Sequence, residues 1–327
     1  MTQAATLSAA TLPAPAHAGS GTILIRRLRF LAAMGVAGVI FYYFGWWVAR
    51  PPDPLSAVAL MTLDQGVIAM AELLGLAVVV SGLAVAICGA NSAERGPLAV
   101  AVGLATLAAR AEHMDKLVLY RLTSAPQGSA AADFAFPTWA FVAETWLWLA
   151  LIGVGFVVGR WVESWFTPVQ TPAPMRPATD AGADIRQSGG TVAISVAIAW
   201  ILLSYFVAGY AYPIERGQIY FGVAFAFLAA SLISHWLFQL RTRTWLLVVV
   251  GLVASAAYVY GGPPDEMLEA AAKFGFFIPL APLARPLPIE YAALGAIGVL
   301  IERDVMELLA AMFGIGPAES DSASGAA

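Results

Sequence analysis

The sequence predicts an all-α, polytopic membrane bundle, and three observations carry that prediction. Six stretches are long and apolar: Phe30–Ala49, Leu73–Ala93, Gln187–Ile214, Gly217–Leu240 and Thr244–Pro264 hold no Asp, Glu, Lys or Arg, and Phe134–Gly159 holds only Glu144. Charged residues are 12% of the chain and hydrophobic ones 60%, where a soluble domain carries roughly 25% charge. Aromatic residues gather at the far end of the first stretch, as Tyr42, Tyr43, Trp46 and Trp47 do, where a membrane interface favours them. A helix needs about 20 apolar residues to cross a bilayer, and a helix satisfies its own backbone where no water is present.

Residues 1–22 lack charge and are mostly Ala, Thr, Ser, Pro and Gly, so they read as a disordered tail. Arg26, Arg27 and Arg29 then precede the first apolar run. That run is too long for a signal-peptide core and has no small-residue cleavage site, so an uncleaved anchor is expected from about Ile25 to Ala49. Further helices are expected at about Asp64–Ala90, Thr138–Trp161, Thr191–Tyr212, Gln218–Leu240 and Thr244–Tyr260. The short connections among the last three make them antiparallel neighbours. Residues 166–190, with Pro168, Pro172, Pro174 and Pro177, read as a linker between membrane halves at 23–165 and 191–314, and 315–327 reads as a second tail.

Two segments are shorter. Gly96–Ala109 has 14 uncharged residues and Tyr291–Ile301 has 11, and each runs into a charged cluster. Such lengths suit buried, re-entrant or interfacial helices. The expectation is therefore six full spans plus two short re-entrant or interfacial helices, with eight spans as the alternative. Counting Lys and Arg by side puts the N-terminus in the cytoplasm either way. In the six-span threading the linker is external. Pro51-Pro52-Asp53 and Pro263-Pro264-Asp265 echo each other, but the residues that follow align poorly, so chance is favoured over a duplicated unit.

Glu72 is the sharpest polar candidate, an acid inside the second span that is expected to face the interior, where a proton or cation site competes with an interfacial Glu on a helix that starts late, near Ala71. Asp64, eight residues earlier and about 80° round the helix, can share its face. Glu144 lies among tryptophans, and His235 lies near Ser231 and Ser234, where bonding to a neighbouring helix competes with a pathway role. Arg110, Glu112, His113, Asp115 and Lys116 form the densest polar cluster. It reads as the wet face of an amphipathic helix with Met114, Leu117 and Val118 toward lipid. One His between two acids is a weak metal signal, and no metal or cofactor is expected. Cys88 is the single cysteine, so no intrachain disulfide forms.

Nothing in the chain matches a nucleotide loop, a zinc helix or a hydrolase elbow. A net charge of −4 gives no reason to expect nucleic acid. The expected partners are the lipid bilayer, other membrane proteins or a second copy. The default expectation is a permease or channel-like protein for a small solute or ion. The alternatives are a structural or accessory subunit of a membrane complex, and a membrane-embedded enzyme that meets a lipid-linked substrate at Arg110–Lys116. Catalysis is the weaker expectation. Arg outnumbers Lys 15 to 2, a bias of GC-rich genomes that points to a bacterial inner membrane.

Overall fold

The computed structural model describes residues 20–51, 57–60, 66–89, 92–112, 114–118, 136–166, 181–208, 216–238, 244–274 and 280–313. Most of both tails, Asp64, His113 and the first Pro-Pro-Asp run from Pro52 onward lie outside them. The described residues are helical with no strand. The helices are α1 Ser20–Ile40, continued by a π-turn Phe41–Gly45 and α2 Trp46–Ala49, then α3 Gly66–Cys88, α4 Arg95–Arg110, α5 Thr138–Phe166, α6 Ala181–Ala208, α7 Arg216–Phe238, α8 Thr244–Gly261, α9 Asp265–Phe274, α10 Pro288–Leu300 and α11 Glu302–Phe313. Five of these stretches, Leu24–Ala49, Gly66–Cys88, Thr138–Phe166, Gly189–Val207 and Arg216–Phe238, are long and apolar enough to cross a membrane, and Trp245–Gly261 is a shorter apolar helix. The chain is a helical membrane bundle.

The helix boundaries have local causes. Gly89 ends α3 at φ +89°, a left-handed conformation that glycine adopts freely, and its N–H returns to the Val85 carbonyl at 2.8 Å. Pro288 opens α10 in the first turn, and the Glu290 side chain reaches back to the Leu287 N–H at 2.8 Å. At the C-terminus of α4, the Arg216 guanidinium donates to the Ala109 carbonyl at 2.7 Å, a cation placed where the helix dipole favours it. α6 begins at Ala181, so the helix takes up the second part of the expected linker.

The two short helices stand at the centre. Ten of the 16 residues of α4 and 11 of the 13 of α10 are buried. α4 packs on α1, α3, α5 and α10, while α10 packs on α4, α5, α7 and α8. The long helices form the wall around them. Both short helices also connect opposite ends of the bundle. Arg95, at the start of α4, lies over the Phe30 ring of α1, and Arg110, at its end, lies over Tyr42 and Trp46. α10 starts beside Tyr258, near the end of α8, and leads into α11 beside Arg95. Chain direction therefore alternates through all eight helices of the bundle, along the path of the eight-pass alternative. It also puts the C-terminal end of α5, where Glu163 accepts the Ala93 N–H at 3.2 Å, at the end where α1 starts.

Glycine makes this enclosure possible. At 1.5 Å per residue α4 is about 24 Å long and α10 about 20 Å, both short of the roughly 30 Å hydrocarbon layer. Gly155 and Gly159 of α5 form a small-xxx-small stripe against the start of α4, and a Cβ on Gly155 would sit 2.7 Å from the Pro97 Cα. Gly103 of α4 accepts the Phe41 ring, which the π-turn directs inward. Gly295 and Gly298 of α10 meet α7 and α8 at Val250, Phe227 and the backbone of Ala224 and Leu228.

Gly298→Ala should destabilise the bundle by about 1–3 kcal/mol, because backbone cannot move aside as a side-chain tip can. Gly75→Ala, with nothing within 4 Å of the new Cβ, should be neutral or stabilise α3 by up to about 1 kcal/mol. Thermal unfolding of both variants in detergent checks the pair; equal melting would refute the contact at Gly298.

Candidate functional site

Among the described residues, the sequence candidates do not assemble into one site. Glu72 is exposed on the outer face of α3, contrary to the expectation that it faces the interior. The reason is register: Ala69, Leu73, Ala77, Val80 and Ala84 form the buried stripe, and Glu72 lies one residue, about 100°, away from it. It is six residues from the start of the helix, close enough for its carboxylate to reach the interface.

Glu144 is buried at 3% exposure. Its Oε1 accepts the Leu60 N–H at 2.9 Å and the Trp148 indole N–H at 3.1 Å. It thereby anchors the extended segment 57–60, whose Ala57, Val58 and Ala59 are buried against the bundle. An apolar groove of about 670 Å³ runs beside it between α3 and α5, lined by Val67, Met70, Leu74 and Leu147. The carboxylate here satisfies backbone that helix does not cover.

The Arg110–Lys116 cluster disperses. Arg110 donates to the Tyr42 carbonyl at 2.8 Å and lies 4.9 Å and 4.7 Å from the Tyr42 and Trp46 ring centres. Glu112 and Asp115 are half-buried and Lys116 is exposed. Met114, Leu117 and Val118, expected to face lipid, are buried in the bundle instead. The helical turn at 114–118 is amphipathic, with its apolar side turned inward. No group of three or more His, Cys, Asp or Glu is placed to hold a metal among the described residues.

Two buried polar sites emerge: the first is not among the sequence candidates, and the second brings His235, which is, beside Glu302, which is not. The first is at the end of the bundle where α10 begins. Glu290 is 1% exposed, with Oε2 committed to the Leu287 N–H. The Tyr220 hydroxyl and the Arg216 guanidinium of α7 face it. Glu290 Oε1, Tyr220 Oη and Arg216 Nε are all buried and close no hydrogen bond of good geometry. Buried polar atoms of this kind are normally paired, so three of them on facing side chains mark a place for a small polar guest, water included. The loop leading to the site is non-helical backbone inside the bundle. Tyr258 donates to the Pro286 carbonyl at 2.7 Å, Tyr291 to Leu283 at 2.6 Å and Arg285 Nε to Leu280 at 3.1 Å.

The second site is at the opposite end. Glu302, fully buried in the first turn of α11, lies 3.7 Å from His235 Nδ1 of α7. Ser231, one turn before His235, has a buried hydroxyl with no hydrogen-bond partner, and Ser234 pairs with Ser195 of α6 at 2.5 Å. Around them the exposed charges pair off: Arg95 holds Asp304 through two bonds of 2.5 Å and 2.6 Å, and Arg303 bonds Glu307 at 2.8 Å.

Comparison with known families, with characterised proteins and with solved structures finds no match to this chain.

Glu72→Leu should leave thermal stability in detergent at or above the wild-type value. Glu144→Leu should destabilise by about 1–3 kcal/mol for each N–H left unsatisfied, and Glu144→Gln, which keeps an acceptor, by less. A Glu144→Leu protein as stable as wild type would show that the 57–60 segment does not depend on this carboxylate.

Proposed function

We propose that the protein is a permease or channel-like protein for a small ion, and that the ion is the proton. The observation that supports this is the Glu290 site: a carboxylate enclosed at one end of the bundle, with a phenol and a guanidinium facing it and three buried polar atoms that close no hydrogen bond of good geometry. A fully buried ionisable group in a membrane bundle is costly, and its usual role is in transport. The donor set favours a proton over a metal cation. Magnesium or calcium needs six or more oxygens, whereas Arg216 brings positive charge and Tyr220 brings one oxygen. Glu290 can hold a proton on its carboxyl, with Tyr220 and a water passing it on.

The accessory-subunit reading draws on a different observation. The seams at Gly155 and Gly298 bring backbones into contact, and Val250 and Phe227 fill the space over Gly295. A proton route needs only transient water, so this packing does not exclude it. The enzyme reading draws no support from Arg110, which is turned onto the Tyr42 and Trp46 rings.

For orientation, the inference is eight passes in a bacterial inner membrane with the N-terminus in the cytoplasm. Among the described residues, Arg26, Arg27, Arg29, Arg95, Arg160 and Arg303 fall at or beyond the end of the bundle where α1 starts. The Pro-rich segment around Pro172 then lies in the cytoplasm, the reverse of its side in the six-span threading. A single cysteine placed there on a Cys88→Ala background should react with an impermeant thiol reagent only after the cells are permeabilised. Labelling in intact cells would reverse the assignment.

Purified protein in proteoliposomes should dissipate an imposed pH gradient faster than empty vesicles, read with an entrapped pH dye. Glu290→Gln should lower that rate by about tenfold or more, roughly 1.4 kcal/mol per decade, at unchanged thermal stability. Wild-type vesicles no leakier than empty ones would refute the proton reading and leave the accessory role.

A further inference from the structure

We infer that Glu302 and His235, with Ser231, form a second proton-holding station on the same route, separated from Glu290 by the dry seam between α7 and α10. The inference rests on reading Glu290 as a proton site, and it adds where the proton goes next.

Both stations lie on the same pair of helices. α7 carries Arg216 and Tyr220 at one end and Ser231, Ser234 and His235 at the other. α10 starts at Glu290 and, one residue past its C-cap Ile301, the chain turns into α11 at Glu302. Ser231 and His235 are four residues apart and share a face of α7. That face is packed by α10 and α11. The second station therefore has its own independent mark: the Ser231 hydroxyl is buried without a partner, and His235 Nδ1 stops 3.7 Å short of the Glu302 carboxylate without closing a hydrogen bond. The spacing fits a histidine and an acid that share a proton through a bridging water.

Between the stations the packing is apolar and tight. Phe227 is 1% exposed, and Gly295 lies against Phe227 and Val250. Gly298 lies against the Ala224 carbonyl and, for an added Cβ, 2.8 Å from the Leu228 nitrogen. Glu290 and Glu302 are 12 residues apart, about 18 Å along a helix, which is too far for direct transfer. A proton leaving the Glu290 carboxyl must cross this seam on water admitted when Phe227 moves, and then protonate His235 or Glu302. Its arrival there matches its departure, and no electrons move. A seam that is closed at rest and opens transiently lets protons through without leaving a standing water channel.

Two other groups of charges at this end are tied to one another. Among the described residues Asp304 is held by Arg95, Arg303 lies by Glu307 and Glu94, and α6 contributes hydroxyls at Thr191 and Ser195. Glu302 is the fully buried acid of this end, and the half-buried His235 lies beside it.

The test separates titratable chemistry from packing. In proteoliposomes under an imposed pH gradient, Glu302→Gln keeps the shape and loses the proton site, whereas Glu302→Asp keeps the carboxyl and loses a methylene. The station predicts that Gln lowers proton flux about tenfold or more while Asp retains most of it. A purely structural Glu302 predicts the reverse order, because Gln preserves the packing better, and that order would overturn the proposal. Flux at the wild-type rate in Glu302→Gln would overturn it too, while loss in Glu290→Gln would still uphold the first site. Wild-type protein without flux would instead bring down the Glu290 reading. Should Glu302→Gln fail to fold, His235→Gln decides: loss of flux at wild-type thermal stability supports the station, and an unchanged rate refutes it.

Discussion

Backbone-to-backbone contact at glycine is the constraint on which the rest of this bundle depends. Association of helices in lipid draws little on the hydrophobic effect, because lipid tails are as apolar as the side chains. Close approach has to supply the attraction through many weak contacts. Here several of the closest approaches involve the two short helices: Gly155 against Pro97, Gly103 against the Phe41 ring, and Gly298 against the backbone of Ala224 and Leu228. Larger residues at these positions would push the walls outward and open gaps beside α4 and α10. The central helices are shorter than the hydrocarbon layer is thick, and the N-terminus of α10 is buried inside the protein.

That shortness creates the polar sites. A helix that ends inside a bundle exposes unpaired N–H and C=O groups where water is scarce. The N-terminus of α10 solves this with Glu290 on the Leu287 N–H, and the incoming loop solves it with Tyr258, Tyr291 and Arg285 on its carbonyls. The C-terminus of α4 is met by Arg216. Glu144 does the same for the 57–60 segment through Leu60. Two of the buried acids, Glu144 and Glu290, thus begin as backbone partners. Glu290 differs from Glu144 in its company, since Tyr220 and Arg216 face it with polar atoms of their own left over. A capping residue with spare capacity is the ground on which a proton site is proposed.

The fold was legible because its signal is redundant. Each long helix rests on some 20 residues of the same character, so moving an end by two or three residues changes nothing, and the expected spans match α3, α5, α7 and α8 closely. The sites were not legible, because each depends on a single angle. Glu72 and Leu73 differ by about 100° on α3, and that decides lipid against interior. Nothing in a run of uniformly apolar residues marks which side is inside, since both faces of α3 are apolar. Glu290 had a readable clue: it stands third in a helix opened by Pro288, where a Glu caps the turn before it. What hid it was the partner, because Arg216 and Tyr220 lie some 70 residues away and announce no motif of their own.

The same geometry bears on the charged clusters that follow the short segments. Such clusters argue against a crossing when a helix must carry them through lipid. In this bundle they do not enter it. Arg110 is folded back onto the rings of Tyr42 and Trp46, and the charges of α11 lie beyond the end of α10, tied to Arg95 and Glu94. The apolar part alone crosses the core, sheltered by longer neighbours, and the charged part caps it at the end. Length sets whether a helix can face lipid along its whole course; it does not set whether a helix wrapped in protein can connect the two ends. The arrangement leaves α10 with an acid at its entrance, another just past its exit, and only apolar contacts between them.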